Sequence, residues 1–223
     1  MNSIYKIYNI LLRIKKRKYI AISKKFDDFS MIAEKTYVAN LELANQFANI
    51  SGAIVECGTW KGGMIAGIAY LLGQNREYVL FDSFEGLPEA KEIDGSKAKA
   101  WQTEKNEKDY YDNCKASEEE AKEAMRRAGI NNPYINKGWF NETLPNIKFK
   151  AGIAILRMDA DWYDSTMEIL RNLFFQVNKG GVIIIDDYYY WEGCTKAVHD
   201  FLSTHKLSEK IRTHKSVCYI VKE

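Results

Sequence analysis

The chain has 223 residues, 32 of them basic and 30 acidic, for a net charge of +2, with 46% hydrophobic and 28% charged residues. That size and balance fit one globular domain with room for a terminal extension, and they exclude a general electrostatic attraction to nucleic acid. Three prolines and fourteen glycines leave little room for disordered linker, and four cysteines without a CxxC pair exclude a zinc ribbon or disulfide frame. Reduced cysteine of a cytoplasmic protein is the expectation.

In chain order, residues 1–25 carry Lys6, Arg13, Lys15, Lys16, Arg17, Lys18, Lys24 and Lys25 and no acid. Ile4, Ile7, Tyr8, Leu11, Leu12 and Ile14 fall on one helical face. Such a face packs on the core or on a second subunit, which predicts a dimer or larger homo-oligomer. The alternative is peripheral contact with an anionic inner membrane surface. No apolar run approaches the ~20 residues needed to span a bilayer, and Lys6 and Arg13 break the pattern of a signal peptide. Residues 26–50 read as helical, so 1–50 form a helical extension that roofs a domain over 51–223.

From residue 53 onward, strand-like runs alternate with helical periodicity, which predicts a doubly wound α/β fold with a parallel sheet. The expected strands are Ala53–Cys57, Tyr78–Asp82, Tyr134–Asn136, Ile153–Met158, Val182–Ile185 and Ser216–Val221. Helices are expected over Met64–Leu72, from a capping box at Ser117 and Glu120 to Gly129, from a second box at Ser165 and Glu168 through Val177, and over Cys194–His205. Residues 85–115 are polar, lysine-rich and aperiodic, and read as a lid.

Chemistry concentrates where strands end. The segment VECGTWKGG (Val55 to Gly63) joins a strand to a helix, where Gly58, Gly62 and Gly63 permit close backbone approach to a ligand or simply a tight turn. It is not the dinucleotide fingerprint, because Trp60 takes the second glycine place. Glu56 before the turn would repel a pyrophosphate and suits an ammonium or sulfonium group. Asp82 ends the next strand, where an acid accepts hydrogen bonds from ribose hydroxyls. Together they favour an adenosyl amino acid over NAD. Two further strands end in RMDAD and VIIIDD, so four carboxylates (Asp159, Asp161, Asp186, Asp187) gather at strand ends and call for a hard cation such as Mg²⁺. His199, His205 and His214 show no metal spacing.

The ordered motifs VECGTWKGG, FDSFEGLPEA, KGWFNETLP, ILRMDADWYDST and GGVIIIDDY, over about residues 28–205, resemble the macrocin O-methyltransferase family. The departure is Ala160, where the family pattern has glycine. The resemblance implies a Rossmann-like class I methyltransferase sheet and S-adenosylmethionine- and Mg²⁺-dependent methylation of a sugar hydroxyl. The sugar would belong to a polysaccharide, a nucleotide-sugar or a glycosylated metabolite. It also implies that Asp159, Asp186 and Asp187 bind the metal and that Asp161 is the general base. Glu56, Asp82, Gly58, Gly62 and Gly63 are then the cofactor contacts, with Ser83, Phe84 and, upstream, Ser30 and Met31 beside them. Trp139 and Phe140 would flank the adenine, or belong to the core. Tyr188, Tyr189, Tyr190 and Trp191 would stack on a sugar, or pack against the lid. The rival readings are a metal-dependent catechol-type O-methyltransferase, a nicotinamide-dependent oxidoreductase and a non-catalytic binding protein.

Overall fold

A computed structural model describes residues 17–104, 110 and 112–223. The apolar face expected over residues 4–14 lies outside the described residues, as do 105–109 and 111 of the segment read as a lid. Seven strands form one sheet in the order β3-β2-β1-β4-β5-β7-β6. They are β1 (Ala53–Cys57), β2 (Tyr78–Asp82), β3 (Tyr134–Lys137), β4 (Ile153–Met158), β5 (Val177–Ile185), β6 (Ile211–His214) and β7 (Val217–Val221). The first five are parallel, and β7 pairs antiparallel with both β5 and β6.

Alternating side chains feed two cores. Val55, Cys57, Val79, Phe81, Leu156, Met158, Ile183 and Ile185 face one side, covered by α7 (Tyr163–Leu173) and α8 (Glu192–Thr204). Ile54, Tyr78, Leu80, Ile155, Val182 and Ile184 face the other, beneath α1 (residues 17–25), α2 (Glu34–Gln46), α3 (Gly63–Leu72) and α5 (Glu118–Arg127). Burial on both faces explains why the central strands read as nearly continuous apolar runs, interrupted inside β1 and β4 only by Glu56 and Arg157. Among the described residues no helix is long and apolar enough to cross a membrane.

The first capping box forms as expected. Ser117 Oγ accepts from Glu120 N at 3.2 Å, and Glu120 Oε2 accepts from Ser117 N at 2.9 Å. Ser117→Ala is expected to lower stability by about 1 kcal/mol, read as a shift of the urea midpoint. An unchanged midpoint would show that the cap contributes nothing.

Four sequence expectations are corrected. The Ser165–Glu168 box does not start α7: the N-cap is Trp162, and Tyr163 N donates to Asp94 Oδ1 at 2.7 Å. The helix is already running two residues before Ser165, and a distant carboxylate takes the orphan amide of its first residue. That helix ends at Leu173, and β5 already begins at Val177, running through Gly180 and Gly181. The stretch read as aperiodic contains α4 (Gly95–Thr103), whose Ala98 is buried and whose Trp101 packs against the core. The strand β6 escaped the sequence reading because IRTH is short, polar and only partly buried.

Candidate functional site

A cleft of about 990 Å³ opens at the carboxyl ends of the parallel strands. It sits over β1 and β4, the point where strand order reverses and where ligands bind in open α/β sheets. Of the residues singled out from the sequence, Met31, Glu56, Gly58, Gly63, Asp82, Ser83, Asp159, Asp161, Asp186 and Asp187 line it. Trp139, Phe140, Tyr189, Tyr190 and Trp191 line it too.

One half of the cleft surrounds the turn after β1. Glu56 is fully buried; Thr59 Oγ1 donates to its Oε2 at 2.8 Å, and Arg157 Nη1 donates to its Oε1 at 2.9 Å. Burial pushes its carboxyl up to about 7, with Arg157 opposing the rise. Asp82 Oδ2 accepts from Trp60 N and its Oδ1 from Phe84 N, both at 2.7 Å. The acid that ends β2 therefore pins the glycine turn as well as facing the cleft. Burial raises its pKa, and these backbone amides pull the other way.

The glycines divide by role. At Gly58 φ is +81°, and a Cβ there would collide with the carbonyl of Asp159. Gly62 lies off the cleft against α5, where a Cβ would come 3.1 Å from Ala121 Cα, and Gly63 abuts the backbone of Phe29. Phe84 N is tied to Asp82, but its ring belongs to the core beneath α3 and does not reach the cleft. Ser83 Oγ is engaged inside its own turn, donating to Gly86 O and accepting from Glu85 N.

The other half holds the acids. Asp159, Asp161 and Asp187 each bring a carboxylate oxygen within 4.8 Å of the others. Asp187 Oδ2 accepts from the backbone amides of Ala160 and Asp161, both at 3.0 Å, which draws the β4 and β5 ends together. Asp186 turns aside, its Oδ1 2.6 Å from Arg157 Nη2 in an ion contact without hydrogen-bond alignment. Arg157 Nη1 also donates to Asp159 Oδ2 at 2.8 Å. Asp161 adopts φ +54°, and its Oδ1 accepts from Trp191 Nε1 at 2.7 Å. Withdrawal from solvent, then the charge of Asp159, pushes the Asp161 carboxyl up to about 8. Asp159 rises to about 6, chiefly through burial, and Asp187 is pushed well above the carboxylate range by burial and by the charge of Asp161. An all-oxygen donor set under mutual repulsion fits a hard divalent cation such as Mg²⁺.

Aromatic rings wall the acid half. Trp162 and Trp191 meet edge to face with centroids 5.0 Å apart, and Trp101 of α4 packs on both. Trp162 Nε1 donates to Pro88 O at 2.9 Å and Gln102 Nε2 to the same carbonyl at 2.8 Å. The described part of residues 85–115 is thus seated on the cleft rim by specific bonds. Tyr189 and Tyr190 are the exposed members of this wall.

Arg157, Thr59 and Asp94 were not singled out from the sequence. Arg157 carried a signal: a charged residue inside IAILRM, a strand otherwise wholly apolar, must find buried acids. Thr59 and Asp94 carried none, since their partners lie across turns or 69 residues away.

The fold and the site define a class: this is the Rossmann-like sheet of class I methyltransferases. Residues 27–222 match the family described as macrocin-O-methyltransferase, TylF, and the chain belongs to that family. It is 31% identical over 168 residues to the 8-demethyl-8-(2,3-dimethoxy-alpha-L-rhamnosyl)-tetracenomycin-C 4'-O-methyltransferase of Streptomyces olivaceus, covering 73% of this chain and 62% of that protein. It is 30% identical over 173 residues to the demethyldecarbamoylnovobiocin O-methyltransferase of Streptomyces niveus, covering 74% of this chain and 63% of that one. The chain thus spans less than two thirds of the length of these relatives. Among solved structures, the O-methyltransferase NovP superposes with a TM-score of 0.72 at 28% identity, covering 87% of this chain and 82% of that chain. The calicheamicin methyltransferase CalS11 shares the fold at a TM-score of 0.67 and 17% identity, covering 92% of this chain and 91% of its own.

Proposed function

We propose that this protein transfers a methyl group from S-adenosylmethionine to a sugar hydroxyl with the help of Mg²⁺. The observation that carries the reading is the two-part cleft: Glu56 and Asp82 on one side and the group Asp159, Asp161 and Asp187 on the other, over one switch point. The relatives named for methylation of rhamnosyl and novobiocin compounds support a glycosidic acceptor. When bound, S-adenosylmethionine supplies a methyl group on a sulfonium, and Mg²⁺ supplies positive charge that favours an ionising hydroxyl.

The chain's own residues do the rest. Glu56 offers charge to the donor's ammonium group, and Asp82 offers acceptor oxygens to ribose hydroxyls. Asp159 and Asp187, with Asp186 beside them, would hold the metal. Asp161 receives the hydroxyl proton: it lies beside Asp159 and Asp187 at the acid half of the cleft, where the acceptor hydroxyl would be held. Trp191 fixes which oxygen of Asp161 is engaged, leaving the other for the acceptor. Trp101, Trp162 and Trp191 pack as a wall that excludes water, Tyr189 and Tyr190 offer the exposed rings for the acceptor, and positioning is most of the work.

A thermal-shift series tests this reading. S-adenosylmethionine should raise the melting temperature by mass action, and methylation of glycosides bearing neighbouring hydroxyls should stop in EDTA and return with Mg²⁺. No shift at saturating donor would sink it, and full activity in EDTA would remove the metal.

A further inference from the structure

Arg157 stands in a strand built otherwise of Ile, Ala, Leu and Met, and its side chain is 1% exposed. Burying a guanidinium is costly unless its partners are numerous and well placed. Its partners come from four segments. Nε donates to Asn40 Oδ1 of α2 at 3.2 Å; Nη1 donates to Glu56 Oε1 at the end of β1 and to Asp159 Oδ2 after β4; Nη2 contacts Asp186 Oδ1 after β5. In the sheet Arg157 is register partner of Glu56, so one rigid fork reaches the acid of the donor half and two acids of the metal half. A lysine, with a single flexible nitrogen, could not span both.

We propose that Arg157 is a positioning residue that presets both halves of the cleft, aiming Glu56 at the donor and holding Asp159 and Asp186 together before any metal enters. The inference rests on the methyl-transfer reading and goes beyond it. Two consequences follow from the geometry. Donor binding does not require a divalent cation, because the guanidinium already offsets the acids. Loss of Arg157 weakens donor binding through Glu56, so the two residues are not independent.

Calorimetry with S-adenosylhomocysteine, in EDTA and in excess Mg²⁺, reads both. Wild-type affinity should agree within about twofold between the two buffers, the scatter of an uncoupled site. Arg157→Lys, which keeps the charge but not the fork, should bind about tenfold more weakly or worse. Added to Glu56→Gln, Arg157→Met should cost less than about threefold further, as expected of residues acting as one unit. A purely structural arginine would lower the melting temperature and leave donor affinity in place. Asp186→Asn keeps Arg157 itself, is the gentlest variant for folding, and should shift donor affinity in EDTA by about threefold or more through the shared guanidinium. Wild-type-like affinity in Arg157→Lys, an unshifted Asp186→Asn, multiplying losses, or a wild type that binds donor only with Mg²⁺ would each overturn the proposal. A wild type that binds no donor in either buffer would instead overturn the methyl-transfer reading.

Discussion

Asp161→Asn is expected to lower methyl transfer by about 10²–10⁴-fold, the usual worth of a positioned general base, with donor affinity unchanged. The substitution is chosen so that little else moves. Asparagine tolerates the left-handed region occupied at φ +54°, and its side-chain oxygen can still accept from Trp191 Nε1. The group left facing the acceptor is then an amide, which cannot take a proton. Asp161 lies among Asp159, Asp186 and Asp82, whose charges raise its pKa after burial, so removing its charge relieves repulsion. The denaturation midpoint should therefore hold or rise while turnover falls. Turnover that survives with a proven acceptor would show that the proton goes elsewhere.

The largest structural effect is expected at Gly58. Gly58→Ala meets two obstacles: a backbone at φ +81° that side chains resist, and a new Cβ driven into the carbonyl of Asp159. The strand ends cannot simply part. Gly58 N donates to Phe81 O and Asp159 N to Cys57 O, both at 2.9 Å, so the turn is bonded to β2 while β1 holds the start of the acid loop. A loss of about 4 kcal/mol or more is expected, at the severe end for a single substitution and a large part of a typical domain's stability. Urea denaturation at constant donor-free conditions would measure it. A cost under about 1 kcal/mol, the ordinary effect of a point change, would mean that β1 and β4 have room to separate. Surviving protein should also bind donor poorly, because displacing Asp159 disturbs Arg157 and through it Glu56.

Much of the fold was legible because its signals are local. The strands Ala53–Cys57, Tyr78–Asp82 and Ile153–Met158 coincide with their apolar runs, since strands buried on both faces are apolar apart from the few charged groups the site needs, here Glu56 and Arg157. The box at Ser117 and Glu120 lies three residues apart and forms where it was expected. The box at Ser165 and Glu168 has the same spacing and does not form. The helix starts at Tyr163, whose amide Asp94 of residues 85–115 takes, so Ser165 sits inside the helix, and no local pattern announces that. The helix inside the supposed lid was missed for the same reason. Its ordering rests on Trp101 packing against Trp162 and Trp191, and on Gln102 bonding to Pro88.

The candidate site follows the same division. From sequence alone came the acids at four strand ends, because an aspartate after an apolar run is a local fact. From the same source came the expectation that such a cluster needs positive charge. Only the tertiary structure decided where that charge resides. Part of it is already present in Arg157, which draws Asp186 aside and leaves Asp159, Asp161 and Asp187 as the close group. Which acids meet depends on sheet order and register, and on a guanidinium reaching across three strands. Those are distances between residues up to 117 positions apart in the chain, and no periodicity in a one-dimensional pattern encodes them.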